Sequence, residues 1–492
     1  MPTISRRTFV QGVAALPLAL GAAPLARAGT PYVRYDLASP QGRDMLAILA
    51  GAVRRMQAYP NMTPLHWNWQ WYTHFVKGDT TKADEIARIW GTSSTSMSRL
   101  AGETWDTCQS HSGQEPNNFL PWHRMFVYYF ERIVRRVSGR ADFTLPYWDY
   151  TSDDPAKRGV VPLEFRSPDD PVFGPLYRPD RSDLANSGQP IQSDSPGDPM
   201  RIGGPMGKAY YEQVGTDAGF CRSINSSIHG AIHVLVGNRM GMGTVPYSGN
   251  DPLFWVHHAN IDRMWESWNL NGGVNPADAD WANQTFVFGD AGGRAAAPLH
   301  DFFDCTTLGY GYDAYIPSPR GTTTTTQAFA KAAKARPERV ARARDGAELG
   351  ARAVRVALLP VHATGGTDPV LGLDPQGTRR TWLVLRDLHT WAQPEVLYHV
   401  YLTAPAGDRV DAGSYVGFIH FFDAEFHDHG HGAMGTALAE NYYSFDVTAL
   451  LRGIARSGNP SARSALAVTI VPGGRPTPGG KPLVGAIELV RE

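Results

Sequence analysis

The sequence is poor in cysteine, in long apolar runs and in charge of one sign, and each shortage removes a class of protein. Three cysteines, Cys108, Cys221 and Cys305, are too few and too odd in number for a disulfide framework, so at least one thiol has another fate. Past the N-terminal leader no segment has the unbroken apolar length, roughly 20 residues, that a membrane helix requires. No membrane partner is therefore expected. A formal net charge of -1 creates no overall field toward nucleic acid or anionic lipid, which leaves small neutral molecules as the expected partners. No internal repeat is visible.

What is present is apolar material for deep, dry interiors. A chain of 492 residues with 42% hydrophobic and 19% charged residues is globular in composition and long enough for two or three domains. Its first residues carry an address. Ser5-Arg6-Arg7-Thr8-Phe9-Val10 precedes the weakly apolar run Val13 to Leu20, and Ala26-Arg27-Ala28 supplies small residues where signal peptidase cuts. This order resembles a twin-arginine export signal over residues 1–28, with a mature start near Gly29 and a periplasmic or secreted destination.

Apolar residues recur at helical spacing in Gly42 to Tyr59 through Met45, Leu46, Leu49, Val53 and Met56, and from Pro121 through Phe126, Tyr129, Phe130, Ile133, Val134 and Val137. Phe220 to Val236 and Ala259 to Leu270 read as two more helices, and four such helices imply a bundle. The loop Thr151 to Pro205 is long enough to be functional surface. After Pro317 the character changes. Residues 320–350, with a run of threonines among Ala, Lys and Arg, read as a linker, and short runs rich in β-branched and aromatic residues follow between Gly, Pro and Asp turns. The expected architecture is a mainly α domain over 29–319, a four-helix bundle, then an all-β domain over 351–492, sandwich-like or a barrel.

The histidines carry the chemistry. Ser227-Ile228-His229-Gly230-Ala231-Ile232-His233 places two imidazoles at i and i+4, one turn apart on one helical face. His257-His258 follows after a glycine-rich loop. Alone, an H-x-x-x-H is more often ordinary polar surface than a ligand pair. A second set lies upstream: His123 at the start of the aromatic helix, His111 in Cys108-Gln109-Ser110-His111, and His74 at the end of Trp67-Asn68-Trp69-Gln70-Trp71-Tyr72-Thr73-His74. Two groups of imidazoles without adjacent carboxylates favour copper or zinc over magnesium or calcium. A facing pair of coppers can deliver two electrons to dioxygen together, which zinc cannot do. Trp122, Phe126, Phe254, Trp255 and Trp265 would keep such a site dry.

The segments FLPWHR, SIHGAIH, DPLFWVHHANIDRMW and LPYWDY resemble the type-3 copper proteins, the tyrosinases, catechol oxidases and haemocyanins. LGYGY at Leu308 to Tyr312 is similar to the tyrosine motif that closes the family's catalytic domain, and Arg34 to its N-terminal arginine partner. YHVYL at Tyr398 to Leu402 and the closing AVTIVPGG resemble the C-terminal domain of plant-type polyphenol oxidases. The resemblance implies two copper ions, the first on His74, His111 and His123, the second on His229, His233 and His258, with His257 a neighbour and Asp262 fixing the helix. His66 is the alternative to His74.

The chain also departs from the family pattern. Cys108 lies three residues before His111, where many relatives have a cysteine two residues before, so it is either cross-linked to a histidine by a thioether or a buried thiol. Asn225 and Phe220 occupy the positions where many relatives carry a water-orienting glutamate. Asn225 can hold a water but is no base. Gly230 replaces an asparagine seen in strong monophenolases, and Val245 takes the place of a bulky gate residue. The resemblance implies a polyphenol oxidase that converts o-diphenols, and in some members monophenols, to o-quinones with dioxygen. An o-aminophenol oxidase and a haemocyanin-like oxygen carrier are the alternatives, and the C-terminal domain is expected to shield the site with an apolar side chain. The cluster His427 to His431 is either an accessory metal patch or a polar loop.

Overall fold

The structure is a computed structural model that describes residues 32–109, 115–192, 197–237, 239–317, 319, 336–361, 379–403, 410–425, 441–456 and 466–492. The export signal, His111, the threonine run and the cluster His427 to His431 lie outside the described residues. No described helix is long and apolar enough to cross a membrane.

The helical part is built around helix Phe119–Ser138, which packs against Pro40–Gln57, Gly219–Ile224 and Pro252–Leu270. Local chemistry sets where these helices begin and end. Ser39 accepts the Gly42 amide at 2.9 Å with Pro40 in the first helical position, and Gly139 ends the central helix in the left-handed conformation (φ 72°). Pro40–Gln57 buries Leu46, Leu49, Val53 and Met56 as its periodicity predicts.

Two helices differ from expectation. The helix expected from Ala259 starts at Pro252, because Asp251 caps it through the Leu253 amide at 2.8 Å and is itself gripped by Arg181 at 2.7 and 2.8 Å. The paired histidines therefore lie inside the helix and not ahead of it. The stretch read as one helix from Phe220 to Val236 is three joined segments, α Gly219–Ile224, π Asn225–His229 and α Gly230–Val236. The π turn holds an additional residue per turn, a distortion that recurs at functional sites.

Thirteen strands are described: β1 Tyr32–Arg34, β2 Thr285–Asp290, β3 Gly293–Pro298, β4 Tyr310–Tyr312, β5 Glu338–Arg342, β6 Ala347–Glu348, β7 Val354–Pro360, β8 Thr381–His389, β9 Tyr398–Thr403, β10 Tyr415–Ile419, β11 Tyr442–Asp446, β12 Leu466–Pro472 and β13 Leu483–Arg491. β1 and β4 pair in parallel and tie the start of the helical domain to its end. Eight strands of the C-terminal part run in the order β10-β9-β12-β7-β5-β13-β8-β11, with β6 beside β13. The end strands β10 and β11 approach each other, which makes a nearly closed, barrel-like sheet around Leu383, Leu385, Val400, Val468, Ile470 and Ile487. β5 and β6 belong to this sheet although residues 320–350 read as linker, because Arg339 and Ala341 pair with β13. The polar faces of this short segment disguised its one buried residue in β5, Ala341.

Candidate metal centre

The centre is assembled from four helical stretches. His74 closes helix Trp67–His74, and His123 sits one turn into Phe119–Ser138. His229 and His233 flank the end of the π turn, and His257 and His258 lie in the second turn of Pro252–Leu270. All six are buried to 3% exposure or less.

Two groups of donor atoms result. One is His229, His233, His257 and His258; the other is His74, Cys108 and His123; within each group the donor atoms lie within 4.8 Å of one another. The groups face each other: the rings of His123 and His258 stack at 4.5 Å between centroids, and those of His123 and His229 are 6.1 Å apart. His66 takes no part. Its Nδ1 accepts the Asn68 amide at 3.0 Å and caps the helix that His74 ends.

Several rings are held by one nitrogen so that the other faces inward. His123 Nδ1 is 2.7 Å from the Phe119 carbonyl, His229 Nδ1 is 2.8 Å from Asn225 Oδ1, and His233 Nδ1 is 2.9 Å from the Met242 carbonyl. Each contact fixes a tautomer with Nδ1–H donating, which leaves Nε2 as a lone-pair donor. Nε2 of His229, His233 and His258 is buried with no hydrogen-bond partner. A buried polar atom left unsatisfied is costly, and convergent orphaned imidazole nitrogens are what a borderline or soft metal ion requires. Burial also pushes His123 and His233 down to about 3, and His229, His257 and His258 well below the ordinary histidine value. At neutral pH all are uncharged and ready to bind a cation. The residues present fit a pair of metal ions.

Asp262, one turn beyond His258, anchors the helix. Its carboxylate accepts from Arg34 at 2.9 Å, from Tyr310 at 2.6 Å, from Tyr312 at 2.5 Å and from Arg124. Arg34 also bonds Glu131 at 2.9 Å and lies 3.9 Å over the Tyr310 ring. The N-terminal arginine and the two tyrosines thus converge on one buried acid, whose carboxyl stays below its ordinary value because Arg124 and Arg34 outweigh its burial. Phe126, Phe254 and Trp122 pack around His74 and His258, with Phe254 at 4.1 Å from His258. Trp255 and Trp265 face the helical core instead, against Phe130 and Arg124.

The remaining expected residues sit as follows. Asn225 touches His229; Phe220 stacks on Trp268 at 4.6 Å, in the core and away from the imidazoles. Val245 is buried in an apolar group with Phe75, Leu397 and Phe422. Gly230 faces His420, whose ring atoms are 2.0 to 2.7 Å from where a Cβ would stand. Both Phe422 and His420 come from the segment after β10. Phe422 stacks on His233 at 4.1 Å and 10°, and lies 5.8 Å from His229. The sequence indicated a covering apolar side chain but not which one, since F-F-D-A has no motif of its own.

Comparison with known proteins agrees with this geometry. The family model for the common central domain of tyrosinase matches residues 64–198 and 200–271. A tyrosinase of Hahella sp. (strain CCB-MM4) is 30% identical over 303 residues, 56% of this chain and 62% of that protein. The chloroplastic polyphenol oxidase II of Ipomoea batatas is 30% identical over 230 residues, 40% of this chain and 38% of that one. The matches thus span less than two thirds of these relatives. Latent apple tyrosinase shares the fold of a helical core with a C-terminal β domain, at a TM-score of 0.59 and 18% identity, over 94% of this chain and 97% of that one. With the matched region holding five of the six histidines assigned from the sequence within its described residues, residues 64–198 and 200–271 of this chain are a type-3 copper central domain of the tyrosinase family.

Proposed function

We propose that the chain is a copper-dependent polyphenol oxidase that converts o-diphenols to o-quinones with dioxygen as acceptor. The observation that carries this reading is the convergence of buried imidazoles on two adjoining positions, with Nε2 of His229, His233 and His258 lacking any hydrogen-bond partner. His74, His111 and His123 would hold the first copper, and His229, His233 and His258 the second. A copper pair held by these residues would supply two-electron redox chemistry between diphenol and dioxygen, with two diphenols and one dioxygen giving two quinones and two waters. The chain's own residues keep the site dry and fix the ring tautomers, and Val245, buried against Phe422, would border a phenol once Phe422 is displaced. The domain boundaries go with this reading: a leader over 1–28, exported by the twin-arginine route, a catalytic domain to 319 and a shielding β domain.

Diphenol oxidation is favoured over monophenol hydroxylation by the state of Asn225. Its Oδ1 already contacts His229 Nδ1 at 2.8 Å, and no carboxylate in the described cluster replaces it as a proton acceptor. The stacking of Phe422 on His233 supports a latent full-length enzyme and keeps a second reading in view, a covered oxygen carrier. The fold of an octopus haemocyanin functional unit is likewise similar, with a TM-score of 0.50 at 16% identity over 93% of this chain and 99% of that one.

Oxygen uptake by copper-loaded Phe422→Gly protein given catechol tests the proposal. Sustained uptake matched by quinone formation is expected, and loss of uptake in the additional variant His258→Ala. Reversible oxygen binding without catechol loss would instead make the chain a carrier, and faster turnover of o-aminophenol than of catechol would make it an aminophenol oxidase.

A further inference from the structure

The β domain meets the imidazoles' surroundings with more than the Phe422 ring. His233 is held through its Nδ1 by the carbonyl of Met242, in the loop between Gly237 and Thr244. That loop closes on itself: a Cβ at Gly237 would stand 2.2 Å from the Gly243 amide nitrogen, and the Thr244 hydroxyl donates to the Arg239 carbonyl at 3.0 Å. The following residue, Val245, enters the apolar group with Phe75, Leu397 and Phe422. Arg239 is therefore an exposed cation on a short loop whose ends are fixed beside His233 and beside the covered face.

Two acids of the β domain meet this loop. Glu395 Oε1 accepts the Arg239 amide at 3.1 Å, and its other oxygen accepts from the Thr477 hydroxyl. Glu395 takes φ 59°, a left-handed conformation that is costly for a residue with a side chain, so the backbone is strained where it presents this acid. Glu425 is the second. Burial pushes its carboxyl up to about 7, Gln393 and Arg239 hold it back, and Glu395 adds to the rise. Gln393 joins the acids to the ring, since its amide donates to the carbonyls of Phe421 and Phe422 at 2.8 and 3.1 Å. The β domain thus inserts one connected unit, an aromatic ring 4.1 Å from His233 with acids placed on Arg239. Lys77, next to the Gly78 that packs on Pro246, instead faces Asp79 of its own domain at 3.8 Å.

We infer that this unit stands in the place of a substrate, an o-diphenol with a carboxylate on a short side chain, and that Arg239 selects it. The inference rests on the oxidase reading above and adds the side-chain chemistry of its substrate. Once Phe422 is displaced, the diphenol ring lies on His233 along Val245 and Phe75, apolar walls that offer a charged side chain nothing to pair with. The carboxylate then takes over the Arg239 amide and guanidinium from Glu395 and Glu425, a charge-assisted pairing. An ammonium side chain is disfavoured at the same place. Because Arg239 is exposed, the preference is modest and screened by salt.

Copper-loaded full-length Phe422→Gly protein is given 3-(3,4-dihydroxyphenyl)propionate and, separately, its methyl ester. The expected kcat/KM is about threefold higher for the acid, the size of a solvent-exposed ion pair, and the difference lies in KM. The ratio rises when Glu395→Gln and Glu425→Gln are added, because the competing acids are gone. It falls to parity in Arg239→Gln and at high salt, and Arg239→Lys keeps part of it. Parity in the protein with both glutamates exchanged overturns the inference whether or not Arg239→Gln folds. So does a preference that survives Arg239→Gln, and in both cases quinone formation leaves the oxidase standing. Oxidation of neither acid, ester nor catechol overturns the oxidase reading and the inference with it.

Discussion

The imidazoles themselves were legible in the sequence because their spacing is a local property. His229 and His233 lie one turn apart whatever surrounds them, and the HHANID run fixes His258 one turn before Asp262. What touches each ring was not legible, because it depends on which carbonyl or amide arrives from elsewhere. Asn225 is such a case: expected as a holder of water, it lies 2.8 Å from His229 Nδ1 and orients a ligand. Asn225→Ala should therefore weaken metal retention at the second position by about 10 to 100-fold, the usual consequence of deleting a partner of a ligating histidine. Competition with a chelator measures it, and unchanged affinity would return Asn225 to the role of a water holder. The same burial has a pH signature in the metal-free chain. When unfolded, these histidines take up protons as pH falls through about 6.5, whereas in the fold His123 and His233 do so only near 3. Between those values the unfolded chain binds more protons, so stability falls with pH by about 1.4 kcal/mol per unit for each such histidine. Urea midpoints of the metal-free protein at about pH 7 and about pH 5.5 should show the drop. An unchanged midpoint would mean that the rings are solvated and charged.

Elements were legible where one residue sets them and obscure where partners do. The apolar stripes of Pro40–Gln57 and Phe119–Ser138 announce themselves, yet the start of Pro252–Leu270 depends on Arg181 reaching Asp251 across the fold. The π turn at Asn225–His229 leaves no mark in periodicity, since a single added residue per turn is invisible over so short a span. The β1 and β4 strands are only Tyr32–Arg34 and Tyr310–Tyr312, too short to be called from pattern, but they bring Arg34 to Asp262. Asp262→Asn would leave Arg34 and Arg124 buried with a neutral amide at the centre of their network. Breaking a buried ion pair in this way costs about 3–5 kcal/mol, and it should loosen the helix that carries His258. Chemical denaturation should register the loss together with weaker metal retention at the second position. Stability within about 0.5 kcal/mol of wild type, the range of surface substitutions, would show that the network does not hold the helix.

At the scale of the whole molecule, a helical domain followed by a β domain could be read from the change in composition after Pro317, but the way they meet could not. Contact between them turns on Gly230. The absence of a side chain there lets the His420 ring sit 2.0 to 2.7 Å from where a Cβ would be, and this in turn seats Phe422 on His233. The His420 amide and carbonyl are both within bonding reach of the Tyr443 hydroxyl, at 3.2 and 3.1 Å, so the ring cannot retreat without moving the end of β10. Gly230→Ala therefore pushes the segment His420 to Phe422 off the helical domain and uncovers the imidazoles, whereas Phe422→Gly uncovers them by deletion. Each should raise catechol turnover of the full-length chain, on the order of tenfold where docking is worth about 1.4 kcal/mol. If both act through the same contact, the double variant should be no faster than the faster single one, the non-additivity expected of residues that share one contact. Multiplied effects would separate the two, and a slower Gly230→Ala enzyme would mean that the added methyl disturbs His229 more than it displaces the β domain.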